Sequence, residues 1–247
     1  MAWVESPSYA LRRWTVLREL AAVPRGRLLE IGSGAGDLLV HLAAAGFEPH
    51  CVETSPEARE ETARRLRRHG VAARPAAALE EIDGRFDLVV ACEVLEHVRD
   101  DEAALSAWAA RLESAGRLLL TVPAHPRRFG ASDEWAGHFR RYDRTDLERL
   151  AAAAGLEIDR LLCYGFPLGN LIEPVRNLVN RRRLRRDAAR TAAERTARSG
   201  TERTVEHHLR WLSHPTVIAP FCWLQVPFLG TELGTGYLLL ARRRHGG

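Results

Sequence analysis

Between residues 27 and 166 short apolar runs alternate with helical patterns, and this rhythm limits the fold more than any other feature of the chain. "RLLEIG" (27–32), "EPHCVE" (48–53), "FDLVVAC" (86–92), "GRLLLTVP" (116–123) and "LEIDRLLCYGF" (156–166) read as strands. Between them, "DLLVHLAAAG" (37–46), "SPEAREETARRLRRHG" (55–70), "DDEAALSAWAARLES" (100–114) and "DRTDLERLAAAAG" (143–155) read as helices. The second opens on Ser-Pro and places acids early and arginines late, which suits both a cap and the helix dipole. The last has a cap at Asp143 or Thr145. Strands that are apolar throughout need cover on both faces. The alternation therefore predicts an α/β, Rossmann-like domain, with a mostly parallel sheet between two layers of helices.

After about residue 168 the rhythm stops. Residues 181–210 hold ten arginines against four acids on a helical pattern. "HPTVIAPFCWLQVPFLG" (214–230) is apolar, aromatic and broken by prolines, and "GYLLLARRR" (236–244) closes the chain as a strand. This predicts a single domain over 1–247 with an insertion at 168–230 before the last strand. Three roles fit the insertion. It walls an apolar substrate pocket as a cap, it rests on the surface of an anionic membrane, or it packs as core beside a solvated charged helix. A nucleic-acid partner is disfavoured: a net charge of +4 is small, and the arginines have no stacking motif beside them.

With 46% hydrophobic and 28% charged residues the composition is that of a soluble globular protein. No apolar run reaches the roughly 18 residues of a membrane span, and "MAWVESPSYALRRW" has no signal-peptide pattern. Cys51, Cys92, Cys163 and Cys222 form no CxxC pair and read as free thiols. A cytoplasmic protein is expected, with or without peripheral membrane contact. The sequence sets no oligomeric state.

"LLEIGSGAGD" (28–37) leaves a strand and opens a helix, so Gly32, Gly34 and Gly36 let the backbone turn sharply and approach a ligand. Glu53 ends the next strand, where an acid can accept both hydroxyls of a ribose. Dinucleotide loops usually read GxGxxG, and here the third glycine comes one residue early. Glu30 and Asp37 flank the loop; they would repel a pyrophosphate and suit a cationic ligand with an amino group. This argues against an NAD-dependent oxidoreductase, the alternative from another class.

"LLEIGSGAG", the acid of "CVETSPEA", and "FDLVVACEVLEHV" followed by "GRLLLTVP" resemble the motifs of class I S-adenosylmethionine-dependent methyltransferases, in order and spacing, over about residues 25–166. The resemblance implies a seven-stranded sheet of order 3-2-1-4-5-7-6 with strand 7 antiparallel. It implies that Glu30, Gly32, Ser33, Gly34 and Gly36 line the methionine part of S-adenosylmethionine and that Glu53 binds its ribose. Cys92 and Glu93 would lie beside the methionine end. Ala77 and Ala78 would flank the adenine; many relatives place an acid there, which "PAAAL" lacks, so main-chain contacts would have to replace it. Residues 1–24 would form a helical lid, from which Tyr9 and Arg12 or Arg13 reach the cofactor carboxylate; a helix that merely packs on the surface fits the same pattern.

In "ACEVLEHVRDD" (91–101), Glu93, Glu96 and His97 stand at i, i+3 and i+4 and share a face if the segment is helical. Three readings stay open. The trio is structural; or His97 is a general base for an acceptor hydroxyl; or Glu93, Glu96 and His97 bind Mg²⁺ or Mn²⁺. The last spacing is similar to the metal site of ubiquinone-pathway O-methyltransferases and of small-RNA 3′-end methyltransferases. The latter add one histidine, and His138 stands at a comparable place. "TVPAHPRRFGASDEWAGHFRRYDRTDL" (121–147) follows a strand at the edge where such sheets bind ligands. Its candidates are His125, Asp133, Glu134, Trp135, His138, Arg140, Arg141 and Tyr142. His138 is expected to act in catalysis beside His97, and His125 and Trp135 to meet substrate. Arg141 and Tyr142 either meet substrate or lock the loop. The expected activity is methyl transfer to oxygen of a small or lipid-like acceptor, such as a natural product. The alternative is metal-dependent O-methylation of a quinone precursor or an RNA 3′ end.

Overall fold

The computed structural model describes residues 5–186 and 214–244. Its strands are β1 (Arg27–Ile31), β2 (Glu48–Val52), β3 (Pro75–Ala76), β4 (Phe86–Cys92), β5 (Leu112–Pro123), β6 (Leu156–Tyr164) and β7 (Gly236–Arg243). They form one sheet of order β3-β2-β1-β4-β5-β7-β6. β7 runs antiparallel to β5 and β6, and the pairings among β1 to β5 are parallel. This is the arrangement the family resemblance implied.

The helices are α1 (Pro7–Leu20), α2 (Asp37–Ala44), α3 (Pro56–Arg68), α4 (Asp101–Ala110), α5 (Ala131–Ala136), α6 (Arg144–Ala153), α7 (Leu168–Arg186) and α8 (Pro215–Leu224). Side chains on a strand alternate between faces, and the core divides accordingly. Leu29, Ile31, Val89, Ala91, Leu118 and Leu120 join Leu105, Trp108, Leu147 and Leu150 of α4 and α6. Leu28, Leu88, Val90, Leu119 and Leu238 join Val16, Leu20, Leu39, Leu42 and Leu66 of α1, α2 and α3. Each such side chain, fully buried, contributes roughly 1.5–3 kcal/mol to folding.

A third cluster lies at the carboxyl edge of the sheet. There Ala10 and Leu11 of α1 meet Leu168 and Ile172 of α7 and Ile218 and Cys222 of α8. Gln225 pins this junction: its side chain accepts from Gly165 N at 3.0 Å and donates to Thr15 Oγ1 at 3.2 Å. The N-terminal helix and the insertion thus pack on one another.

Two details depart from the sequence reading, and one alternative it left open is decided. The helix expected to reach residue 114 stops at Ala110, because Leu112 already pairs with Phe86. The long connector after β5 contains α5. Asp143, rather than Thr145, caps α6, accepting from Asp146 N at 2.9 Å. Most of the arginine-rich stretch 181–210 falls outside the described residues. Among those described, no helix is long and apolar enough to cross a membrane.

Candidate active site

The carboxyl edge of the sheet opens into a cavity of about 930 Å³. Its first half is built by the glycine loop between β1 and α2. Gly32, Gly34 and Gly36 have φ of 71°, 54° and 72°, a region in which a side chain is strained. A Cβ on Gly36 would stand 3.1 Å from Thr62 Cα, whereas one on Gly34 would meet nothing within 4 Å. Gly36 therefore lets the loop pack on α3, and Gly34 keeps it open to the cavity. Glu53, one residue past β2, holds the loop: it accepts from Gly34 N at 2.7 Å and from Ser55 N at 2.9 Å.

Glu30 is 3% exposed, and its Oε2 has no hydrogen-bond partner among the described residues. Burial, then the nearby charges of Glu53 and Asp37, push its carboxyl well above the usual range, opposed by Arg12. A buried carboxyl that lines a cavity without a donor fits an ammonium group. Asp37 accepts from Tyr9 OH (2.8 Å), Arg13 (2.8 Å) and Arg65 (2.7 Å), and so ties α1 and α3 to the start of α2.

Glu93 leaves β4 with φ 57°, uncommon for a residue other than glycine. Its side chain accepts from Tyr164 OH at 3.2 Å and from Thr121 Oγ1 at 3.3 Å, and Arg12 of α1 stands 3.5 Å away. This turn decides the fate of the ExxEH trio. Leu95–His97 form a single 3-10 turn, not an α-helix, so the three side chains do not share a face. Glu93 points to Arg12, Glu96 turns inward, and His97 enters the cavity wall. Glu96, His97 and His138 do converge: one ligand atom from each lies within 4.8 Å of the others. The histidine rings meet edge to face with centroids 4.7 Å apart. Glu93 stands outside this group, which corrects its expected place in a metal site.

Glu96 is fully buried, and neither carboxylate oxygen has a hydrogen-bond partner among the described residues. Burial, then Glu93, raises its pKa well above the usual carboxylate range. His97 is lowered to about 4, first by burial and then by His138. His138 is oriented from behind: Nδ1 lies 2.9 Å from Asp133 Oδ1, while Nε2 lies 3.9 Å from Glu96 Oε1. Asp133 is in turn held by two 2.8 Å hydrogen bonds from Arg141. Burial alone would raise Asp133; donation from His138 and Arg141 outweighs it and brings the carboxyl to about 2. An ionised carboxylate only accepts, so Nδ1 of His138 donates to Asp133, and in the neutral ring the lone pair falls on Nε2.

The far wall belongs to α5 and α7, with Ser132, Asp133, Trp135, Glu173, Arg176, Asn180 and Arg183. Of the expected site residues, Glu30, Gly32, Ser33, Gly34, Glu53, Cys92, Glu93, His97, Trp135, His138 and Arg141 line the cavity. Gly36 shapes the loop from behind, and Ala77 and Ala78 stand outside the wall, as do His125 and Tyr142. His125 packs on Tyr237 and contacts Gly234 O at 3.2 Å. Tyr142 is 1% exposed and donates to Asp101 at 3.0 Å, locking the loop to α4. Among the described residues of the insertion, α7 supplies the wall and none of those after residue 214 lines it.

A profile of the methyltransferase-domain family matches residues 7–161. The chain belongs to this family. The match decides against the oxidoreductase alternative. One curated relative of this methyltransferase is the tuberculostearic acid methyltransferase UfaA1 of Mycobacterium tuberculosis, 33% identical over 101 residues. That match spans 39% of this chain and 24% of the relative. Among solved structures, coclaurine N-methyltransferase, bound to N-methylheliamine and S-adenosylhomocysteine, superposes with a TM-score of 0.60 at 15% identity, covering 95% of this chain and 73% of its own. The cyclase SpnF superposes with a TM-score of 0.59 at 19% identity, covering 96% of this chain and 81% of its own. At such identities the likeness is one of fold.

Sequence reasoning missed the α7 wall of the methyltransferase. The signal was present: Glu173, Arg176, Asn180 and Arg183 follow 3-4-3 spacing, which places them on one helix face.

Proposed function

We propose that this methyltransferase uses S-adenosylmethionine to methylate a hydroxyl oxygen of a small or lipid-like acceptor, with His138 as general base. The carrying observation is the aligned set Arg141–Asp133–His138, with His138 in the cavity wall beside His97. The cofactor residues fit the group. Glu30 presents an orphan acid to its ammonium, Glu53 stands at the end of β2 for the ribose, and Arg12 and Tyr9 close over the loop from α1. Bound there, S-adenosylmethionine supplies an electrophilic methyl group on a sulfonium. His138 takes the acceptor proton at Nε2, and Asp133 stabilises the resulting imidazolium. His97, neutral above about pH 4, gives the incoming oxygen a second imidazole without adding positive charge. The cavity exceeds the needs of one small ligand, which leaves space for an acceptor. A lipid-like acceptor draws support from the name of the mycobacterial relative.

Calorimetry with S-adenosylhomocysteine tests the cofactor: micromolar binding is expected, and its absence would sink the reading. Product mass detection with an acceptor panel then tests the transfer. His138→Ala should lower kcat by about 10²–10⁴ with S-adenosylhomocysteine affinity unchanged.

A second reading rests on Glu96. Two orphan carboxylate oxygens facing two imidazoles are a donor set for a divalent cation. Glu96, His97 and His138 would hold Mn²⁺ or Mg²⁺, the imidazoles favouring Mn²⁺. The ion would polarise the acceptor oxygen. Metal analysis of the purified protein decides: a stoichiometric ion that Glu96→Ala abolishes supports it, and none after loading with Mn²⁺ rejects it.

A further inference from the structure

α7 is inside out. Leu171, Val175 and Leu178 form one stripe and are 69%, 49% and 52% exposed. On the opposite side Glu173, Arg176, Asn180 and Arg183 face the cavity. A helix ordinarily turns its apolar face inward. Leu168 and Ile172 anchor the start of α7 in the apolar junction, but the part of the helix that walls the cavity is polar.

The four side chains are not equivalent. Glu173 is paired, with Arg141 at 2.6 Å and Arg128 at 3.7 Å. Arg176 has no carboxylate within ion-pair distance among the described residues, and its hydrogen bond to Ser8 Oγ is a long 3.5 Å. Asn180 is 4% exposed; its Nδ2 donates to Ser132 Oγ at 3.2 Å, while its Oδ1 has no hydrogen-bond partner among the described residues. The Arg183 guanidinium lies over the Trp135 ring, 5.5 Å from its centroid, which fixes its plane.

We propose that the α7 wall is an anion subsite of the acceptor pocket. Arg176 holds a carboxylate or phosphate of the acceptor, and the unpaired Asn180 Oδ1 accepts a hydroxyl beside it. The acceptor class is thus a hydroxylated organic anion, bound through charge at α7 with its reacting oxygen towards His138. Arginine forks suit planar oxyanions, and the charge-assisted bonds are the strong ones. With Glu173 neutralised by Arg141 and Arg128, no free carboxylate of α7 opposes the anion. The assignment rests on the methyl-transfer reading only for the direction in which the acceptor points.

The test uses the full chain saturated with S-adenosylhomocysteine and titrated with paired probes. The carboxylate arm compares 4-hydroxybenzoate with 4-hydroxybenzyl alcohol; the phosphate arm compares phenyl phosphate with phenol. At least one anion should bind about tenfold or more tighter than its neutral partner. Arg176→Gln should abolish that preference, while Arg176→Lys retains part of it. Affinity for S-adenosylhomocysteine, measured separately, should not change in either variant. No preference in either arm overturns the subsite. So does a fall in S-adenosylhomocysteine affinity in the glutamine variant, which would give Arg176 to the cofactor. Failure of the wild-type protein to bind S-adenosylhomocysteine at all would instead refute the methyl-transfer reading, and the anion preference of the bare protein would still judge the subsite. Circular dichroism of each variant verifies folding.

Discussion

Asp133 and His97 carry opposite instructions for pH. Asp133 ionises in the fold at about 2, against 3.8 when free, because donation from His138 and Arg141 outweighs its burial. It stabilises the fold fully above its unfolded value, and that contribution disappears as pH falls from about 4 to about 2. At about 1.4 kcal/mol per pKa unit the loss is of order 2 kcal/mol. Asp133→Asn should therefore show a shallower acid limb in urea titrations across this window, and lower stability at neutral pH because Arg141 loses a buried partner. His97 has its pKa lowered from 6.5 to about 4 by burial and by His138, so it is neutral in the fold while the unfolded chain protonates. Its effect is to withdraw stability as pH falls through 6.5 towards 4, on the order of 3 kcal/mol. His97→Gln should flatten the thermal midpoint between pH 6.5 and 4 relative to wild type. The convergence of His97 and His138 was legible in the sequence as two histidines near one sheet edge. The fate of Glu93 and Glu96 was not. The i, i+3, i+4 argument presumes an α-helix, and Glu93 at φ 57° breaks that premise without a glycine to announce it.

The glycine loop was legible because its chemistry is written in the backbone it demands. Three glycines with positive φ between a strand and a helix leave few alternatives, and Glu53 at the next strand end completes the pattern. The structure adds a distinction among the glycines. Gly36→Ala would set a Cβ 3.1 Å from Thr62 Cα, on top of a left-handed backbone. Gly34→Ala carries the backbone strain alone, in open space. Each left-handed alanine costs about 1 kcal/mol, and crowding α3 adds to the first. In thermal unfolding, Gly36→Ala should be the more destabilised variant. Gly34→Ala should lose only the backbone term of about 1 kcal/mol and weaken S-adenosylhomocysteine binding, since its methyl borders the cavity. α7 escaped sequence reading for a different reason. Its arginines blend into a longer basic run, and a polar face at 3-4-3 spacing reads as solvated until a cavity is found beneath it.

At the scale of the whole molecule, the cavity is closed by parts far apart in sequence. α1 comes from the N-terminus and α7 from the insertion, and α8 braces both through one small apolar cluster. The sheet order was legible because the family pattern carries it; this junction was not, because it depends on one buried amide. Gln225 is 1% exposed and serves Gly165 N and Thr15 Oγ1 together. Gln225→Ala leaves both without their partner, at a cost of about 1–3 kcal/mol. That cost should fall on the junction before it reaches the sheet, since proteins open locally first. The thiols report where. Burial pushes Cys222 up to about 11 and Cys51 up to about 12, so both should exchange slowly with a disulfide reagent at pH 8. Cys222 sits in the junction, whereas Cys51 sits in the sheet core. In Gln225→Ala, labelling of Cys222 should accelerate about tenfold, read by mass spectrometry of timed samples, with Cys51 unchanged. Equal acceleration at both would mean that the amide supports the whole fold rather than the closure of the cavity.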